Sequence, residues 1–187
     1  KQNKKTIDKQ NRGDCVLPSP RLGRYTRPIQ IVPASFNTIS MVGDFKKMKL
    51  SGKFEDSVCM FNDNLSQWEE AGMYPDRVLS AGGGNACIRP YAQSGFAIGM
   101  PTGPFTSLHE TFQIIFPDMR LRCCSAKEII DEATVRIVRL FLKYPSKTTL
   151  YYSCNMDDES IRPKLGLSIF AGRVGHDVVD YITSRVY

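Results

Sequence analysis

The sequence predicts an α/β fold, a mixed and largely parallel sheet flanked by helices, behind an extended basic N-terminal arm. Three observations carry that expectation. Compact apolar runs at residues 57–61 and 95–100 alternate with helix-like segments, and such alternation builds parallel or mixed sheets. Residues 125–144 repeat apolar side chains at steps of three and four. Residues 1–40 are polar, basic and interrupted by prolines.

Taken in order, Ile29-Gln30-Ile31-Val32 reads as a short strand stopped by Pro33. In residues 45–54 lysines alternate with apolar side chains around Gly52, which reads as a further strand or hairpin. Ser57-Val58-Cys59-Met60-Phe61 is apolar between charged flanks, the pattern of a buried central strand, and it runs into a polar loop, Asn62-Asp63-Asn64. Gly82, Gly83 and Gly84 follow, where missing Cβ atoms let the backbone approach a ligand or another strand. A helix can start just after them, limited by Pro90. Residues 95–100 form the next strand, and Pro101-Thr102-Gly103-Pro104 supplies turn chemistry.

The clearest helix spans residues 125–144. Ile129, Ile130, Ala133, Ile137, Leu140 and Phe141 make one apolar face, Ser125 and Glu128 are spaced as a capping box, and Pro145 ends it. Residues 148–154 then read as a strand, 155–164 as a polar loop, 166–172 as a second glycine-bearing turn and 176–186 as a C-terminal helix.

A chain of 187 residues with 42% hydrophobic and 24% charged positions has material for one compact core, which we place in residues 41–187. No stretch approaches the roughly 18 consecutive apolar residues of a membrane span, and the start lacks the apolar core of a secretory signal. A soluble protein with no membrane partner is expected. Because the chain begins at Lys1, it reads as processed or as a portion of something longer. Six cysteines are scattered without paired spacing, and only His109 and His176 are at hand to complete a zinc site, so no metal and no cofactor is expected. Several cysteines sit in apolar contexts, which suits a reducing compartment, cytoplasm or nucleus, or the interior of a virus particle.

Charge divides the chain. Residues 1–40 carry eight basic side chains against Asp8 and Asp14, a surplus equal to the net +6 of the whole, so residues 41–187 are neutral. The arm cannot bury enough apolar surface to fold alone. It suits nucleic-acid phosphates, the surface of a protein partner, or a solvated tail.

Each candidate site residue has a bland reading beside its functional one. The glycines of residues 82–84 serve close strand packing as well as ligand contact. Asn62, Asp63 and Asn64 suit local turn or cap bonds. Arg89 suits a bidentate phosphate contact or a salt bridge. Cys123-Cys124 and the two histidines show no nucleophile or triad pattern, and Trp68, Tyr151 and Tyr152 read as core.

A strand ending in Phe61-Asn62-Asp63-Asn64, a Gly82-Gly83-Gly84-Asn85-Ala86 loop and a late Gly166-Leu167-Ser168-Ile169-Phe170-Ala171-Gly172 segment together resemble macro domains that bind ADP-ribose. Gly43-Asp44-Phe45 is similar to the opening Gly-Asp-Ile of that family. The resemblance implies a three-layer fold and a set of roles. Asp44 would meet the adenine amino group, Asn62 or Asn64 the distal ribose, Gly82, Gly83, Gly84 and Asn85 the distal ribose and phosphate, and Ser168, Ile169 and Phe170 the diphosphate. Arg89 is a further phosphate candidate. If ADP-ribose links are hydrolysed, Asn62 or Asn64 would position the ribose and Asp63 would activate water. Ser168 stands where the family's diphosphate loop has a second glycine. The expected function is therefore binding of ADP-ribose or a related nucleotide. The rival expectation is a non-catalytic interaction protein of a viral or other large assembly, tethered by residues 1–40.

Overall fold

The computed structural model describes residues 28–35, 41–154, 164, 166 and 174–187. They form a four-stranded parallel sheet in the order β1-β6-β2-β3, with helices on both faces and a separate antiparallel hairpin, β4-β5. The α/β expectation with a largely parallel sheet therefore holds. The strands are β1 (Gln30–Ser35), β2 (Ser57–Asn64), β3 (Ala97–Gly103), β4 (Thr111–Ile115), β5 (Leu121–Ser125) and β6 (Thr149–Cys154).

Strand β2 occupies an inner position because both of its faces are apolar. Val58 and Met60 point into one core with Trp68, Met100, Ile130, Phe141 and Val178. Cys59 and Phe61 point into the other, with Phe45, Met48, Ile88 and Phe96. Two-sided burial is what continuous apolar runs in parallel strands provide for, and each fully buried large side chain contributes about 1.5–3 kcal/mol. Burial also pushes the Cys59 thiol up to about 12, so it behaves as a small apolar residue.

Helices α2 (Leu65–Met73), α3 (Ala126–Lys143) and α4 (His176–Val186) pack into the first core. Helix α3 begins at the expected capping box: Ser125 Oγ accepts from Glu128 N, and Glu128 Oε2 accepts from Ser125 N at 2.7 Å. The second core is covered by α1 (Phe45–Ser51) and by a 3₁₀ segment, Gly84–Ser94.

Four local expectations change. Residues 45–54 are not a strand or hairpin: α1 occupies Phe45–Ser51, capped by Asp44 and closed by Gly52 at φ 67°. Phe45 and Met48, three residues apart, share the buried side while Lys46 and Lys47 face out, so the apparent alternation is one short helical face. Pro33 does not stop β1, which continues to Ser35; β1 is an edge strand, where a missing N–H is tolerated. Asn62-Asp63-Asn64 is the end of β2 rather than a loop, and Pro101 to Gly103 extend β3 rather than turning. The expected polar loop and second glycine turn lie outside the described residues apart from Lys164 and Gly166.

Candidate functional site

Parallel strands carry their loops to one rim, at the carboxyl ends, and ligands in open α/β sheets sit there. Here Asn85 is the knot of that rim. Its Nδ2 donates to Gly43 O at 3.1 Å and to Ser153 Oγ at 2.7 Å, and its Oδ1 accepts from Phe45 N at 3.3 Å. One neutral side chain thus holds the glycine loop, the start of α1 and the end of β6 together.

The loop itself is shaped by two internal bonds, Gly82 N to Ala86 O and Ala86 N to Gly83 O. Gly84 adopts φ 54°, a left-handed value that glycine takes without strain. Gly83 and Gly84 are exposed, and a Cβ on either would meet nothing within 4 Å. Gly82 is different: a Cβ there would lie 2.8 Å from that of Ala86 and 3.1 Å from the Arg89 guanidinium. Among the described residues, the N–H groups of Gly83, Gly84 and Asn85 donate to no protein acceptor. Adjacent unclaimed amides at the start of a helical segment are anion-binding geometry.

The charged pair lies deeper. Arg89 Nη2 donates to Asp63 Oδ1 at 2.5 Å, its Nε reaches Oδ2 at 3.4 Å, and its Nη1 donates to Ser80 O at 2.9 Å. Their side chains are 7% and 2% exposed, so this is a buried ion pair and neither group is free to meet a rim ligand. Burial raises the Asp63 carboxyl above its ordinary value, against the pull of Arg89. Gly99 makes the room, since a Cβ there would stand 2.5 Å from Asp63 Oδ2.

Strand alternation separates the other candidates. Asn62 follows Met60 onto the α3 face, while Asp63 follows Phe61 onto the α1 face. Asn62 Nδ2 donates to Gly166 O at 2.6 Å, and Gly166 N donates to Ser153 O, so Gly166 is pinned between β2 and β6. Asn62 Oδ1 is buried without a hydrogen-bond partner among the described residues. Asn64 caps α2 by accepting from Gln67 N, and Asp44 caps α1 by accepting from Lys47 N. The structure therefore gathers Asp44, the glycine loop and Asn85, places Asn62 beside Gly166, and sets Asp63 with Arg89 apart. Ser168, Ile169 and Phe170 lie outside the described residues.

A concave region opens beside edge strand β3, with a volume of about 570 Å³. Trp68, which the sequence reads as core, lines it together with Arg136 and Glu132, which do not stand out in the sequence. Arg136 stacks over the Trp68 ring with its guanidinium carbon 3.7 Å from the centroid, and its Nη1 donates to Trp68 O. Its signal in sequence is only a polar i, i+4 spacing on an amphipathic helix, indistinguishable from a solvated face. Among the described residues no group of three His, Cys, Asp or Glu side chains is placed to hold a metal ion, and no helix is long and apolar enough to cross a membrane. Comparison with family models, with curated proteins and with solved structures finds no match for this chain.

Proposed function

We propose that the chain binds ADP-ribose or a related nucleotide diphosphate at the carboxyl rim of its parallel sheet. The observation that carries this reading is the set of amides at the exposed Gly83 and Gly84, continued by that of Asn85, which no acceptor among the described residues claims and which the Asn85 side chain fastens beside Asp44 and Ser153. Backbone donors suit a phosphate in a body whose side-chain charges cancel, because they supply positive dipole without a counter-charge. The macro-domain resemblance adds the nucleotide to the phosphate, with Asp44 toward the adenine and Asn62 toward the distal ribose.

Hydrolysis is not favoured by this geometry. Asp63, the carboxylate suggested as base, is buried and engaged by Arg89, and it faces the opposite side of the sheet from Asn62. That same observation favours the second reading, a non-catalytic structural or interaction protein of a viral or other large assembly, joined to its partner protein or nucleic acid through residues 1–40.

Calorimetric titration of the full chain with ADP-ribose separates the two. Gly83 sits at φ −77°, and a Cβ there meets nothing, so Gly83→Glu should fold while placing a carboxylate against the amides. Micromolar binding by the parent, lost in Gly83→Glu, is the expected result. A folded parent that gives no heat leaves the interaction reading in its place.

A further inference from the structure

The groove beside β3 is built from two unlike surfaces. Its apolar part comes from Trp68, Pro75, Leu79, Ile98, Pro117 and Leu140. Its charged part is one wall of α3, where Arg136, Arg139 and Lys143 are answered by Glu132 alone. Glu132 Oε1 stands 3.5 Å from both Arg136 Nε and Arg139 Nη1, so one carboxylate is shared by two guanidinium groups. Among the described residues Lys143 has no carboxylate within ion-pair distance, and it lies over the Tyr144 ring. At the floor, Asp63 and Arg89 cancel each other. Asp76 is the remaining lining carboxylate, so four cations face three carboxylates, with the surplus on the α3 wall.

From this we infer that the groove is a binding site for an amphipathic anion, an apolar body bearing one carboxylate or phosphate group. The apolar body would lie along Ile98 and Leu79 toward Trp68, and the head group would take the donors of Arg139 and Lys143 that Glu132 leaves unneutralised. A volume of about 570 Å³ falls within the roughly 300–1,000 Å³ of small-molecule sites, whose usual lining is apolar with a few convergent polar groups. Gly72 contributes to the construction: a Cβ there would come within 2.5 Å of Arg136 Nη1, so its absence lets the guanidinium lie flat on Trp68. Burial also weakens the hold of Arg136 on its proton, whereas the Arg139 side chain is 56% exposed and meets water, so the head-group end of the groove is its solvated end. The inference does not rest on the nucleotide reading, because Asp44, Gly83, Gly84 and Asn85 do not line the groove.

The chain contains a single tryptophan, and Trp68 is in the groove, so its emission reports on the site directly. The experiment is titration of the full chain with dodecanoate and, in parallel, with dodecyltrimethylammonium, both below their micellar concentrations. Two variants accompany it, the pair Arg139→Glu with Lys143→Glu, and Ala71→Phe, which fills the groove from the surface of α2. Circular dichroism checks that both are folded. A saturable emission change with dodecanoate is expected, about tenfold tighter than with the cation, weakened about tenfold by the charge reversals and abolished by Ala71→Phe. Absence of a saturable change, an equal response to both head groups, or binding unaltered in both folded variants overturns the inference.

Discussion

Asn85 and Arg89 stand four residues apart on the same 3₁₀ segment, and each reaches across the molecule to fasten it, but by opposite means. Asn85 makes three neutral hydrogen bonds at the half-buried rim, to Gly43, Phe45 and Ser153. Arg89 goes inward and closes a buried ion pair with Asp63. A neutral knot can lose a bond and let water replace it. Removing one member of a buried charge pair leaves the other poorly compensated, so each member of that pair holds the other in place. The contrast puts an exchangeable contact at the rim, where the proposed ligand would sit, and a fixed one in the frame behind it.

The sharpest way to break the comparison is Arg89→Met, which leaves Asp63 buried without its partner. The expected loss is about 3–5 kcal/mol at neutral pH, read by denaturant unfolding. Its pH dependence has a definite sign. Burial holds the Asp63 carboxyl above its ordinary value, and without Arg89 it rises further. The folded chain then takes up a proton at higher pH than the unfolded chain, so the variant should regain stability relative to the parent as pH falls through that raised value. A penalty that stays constant with pH would mean that Asp63 is not charged in the fold.

Asn85→Ala should cost less, about 1–2 kcal/mol, because the groups it frees at Gly43, Phe45 and Ser153 are neutral. Hydrogen exchange should show the loss at the start of α1 more than in α3. A uniform loss across the chain would contradict a local knot. The smallest effect is expected at Gly83, where the backbone already suits any L-residue and the site is open. Gly83→Ala should raise stability by about 0.5 kcal/mol, since alanine narrows the unfolded ensemble. Thermal unfolding checks it, and a clear destabilisation would mean that the loop changes conformation on folding.

Legibility followed the range of the interactions. Helix α3 was readable with its cap because its face and its Ser125–Glu128 box lie within a few residues of each other. The C-terminal helix His176–Val186 and the strand at residues 149–154 were readable from local pattern too. Helix α1 was misread because seven residues hold too few apolar positions to separate a period of two from one of three. The glycine loop stood out from composition, but the bonds that position it span 40, 42 and 68 residues. Helix α2 and the β4-β5 hairpin gave no distinct signal at all.

The candidate site divides the same way. Sequence presented Asn62, Asp63 and Asn64 as one polar loop, whereas extending β2 through them sends Asn62 and Asp63 to opposite faces. The groove beside β3 depends on Trp68, Ile98 and Arg136, drawn from three elements, and no window of the chain contains them together.

By itself the sequence determined that this is an α/β chain with a parallel core strand, a capped amphipathic helix, a glycine loop and a net charge confined to residues 1–40, because those properties follow from local spacing and composition. Only the tertiary structure decided that Asp63 meets Arg89, that Asn85 ties the rim, and that a charged groove runs beside β3. Those contacts join residues far apart in the chain, and burial, which sets the strength of every charge in them, exists only once the sheet and its helices have closed.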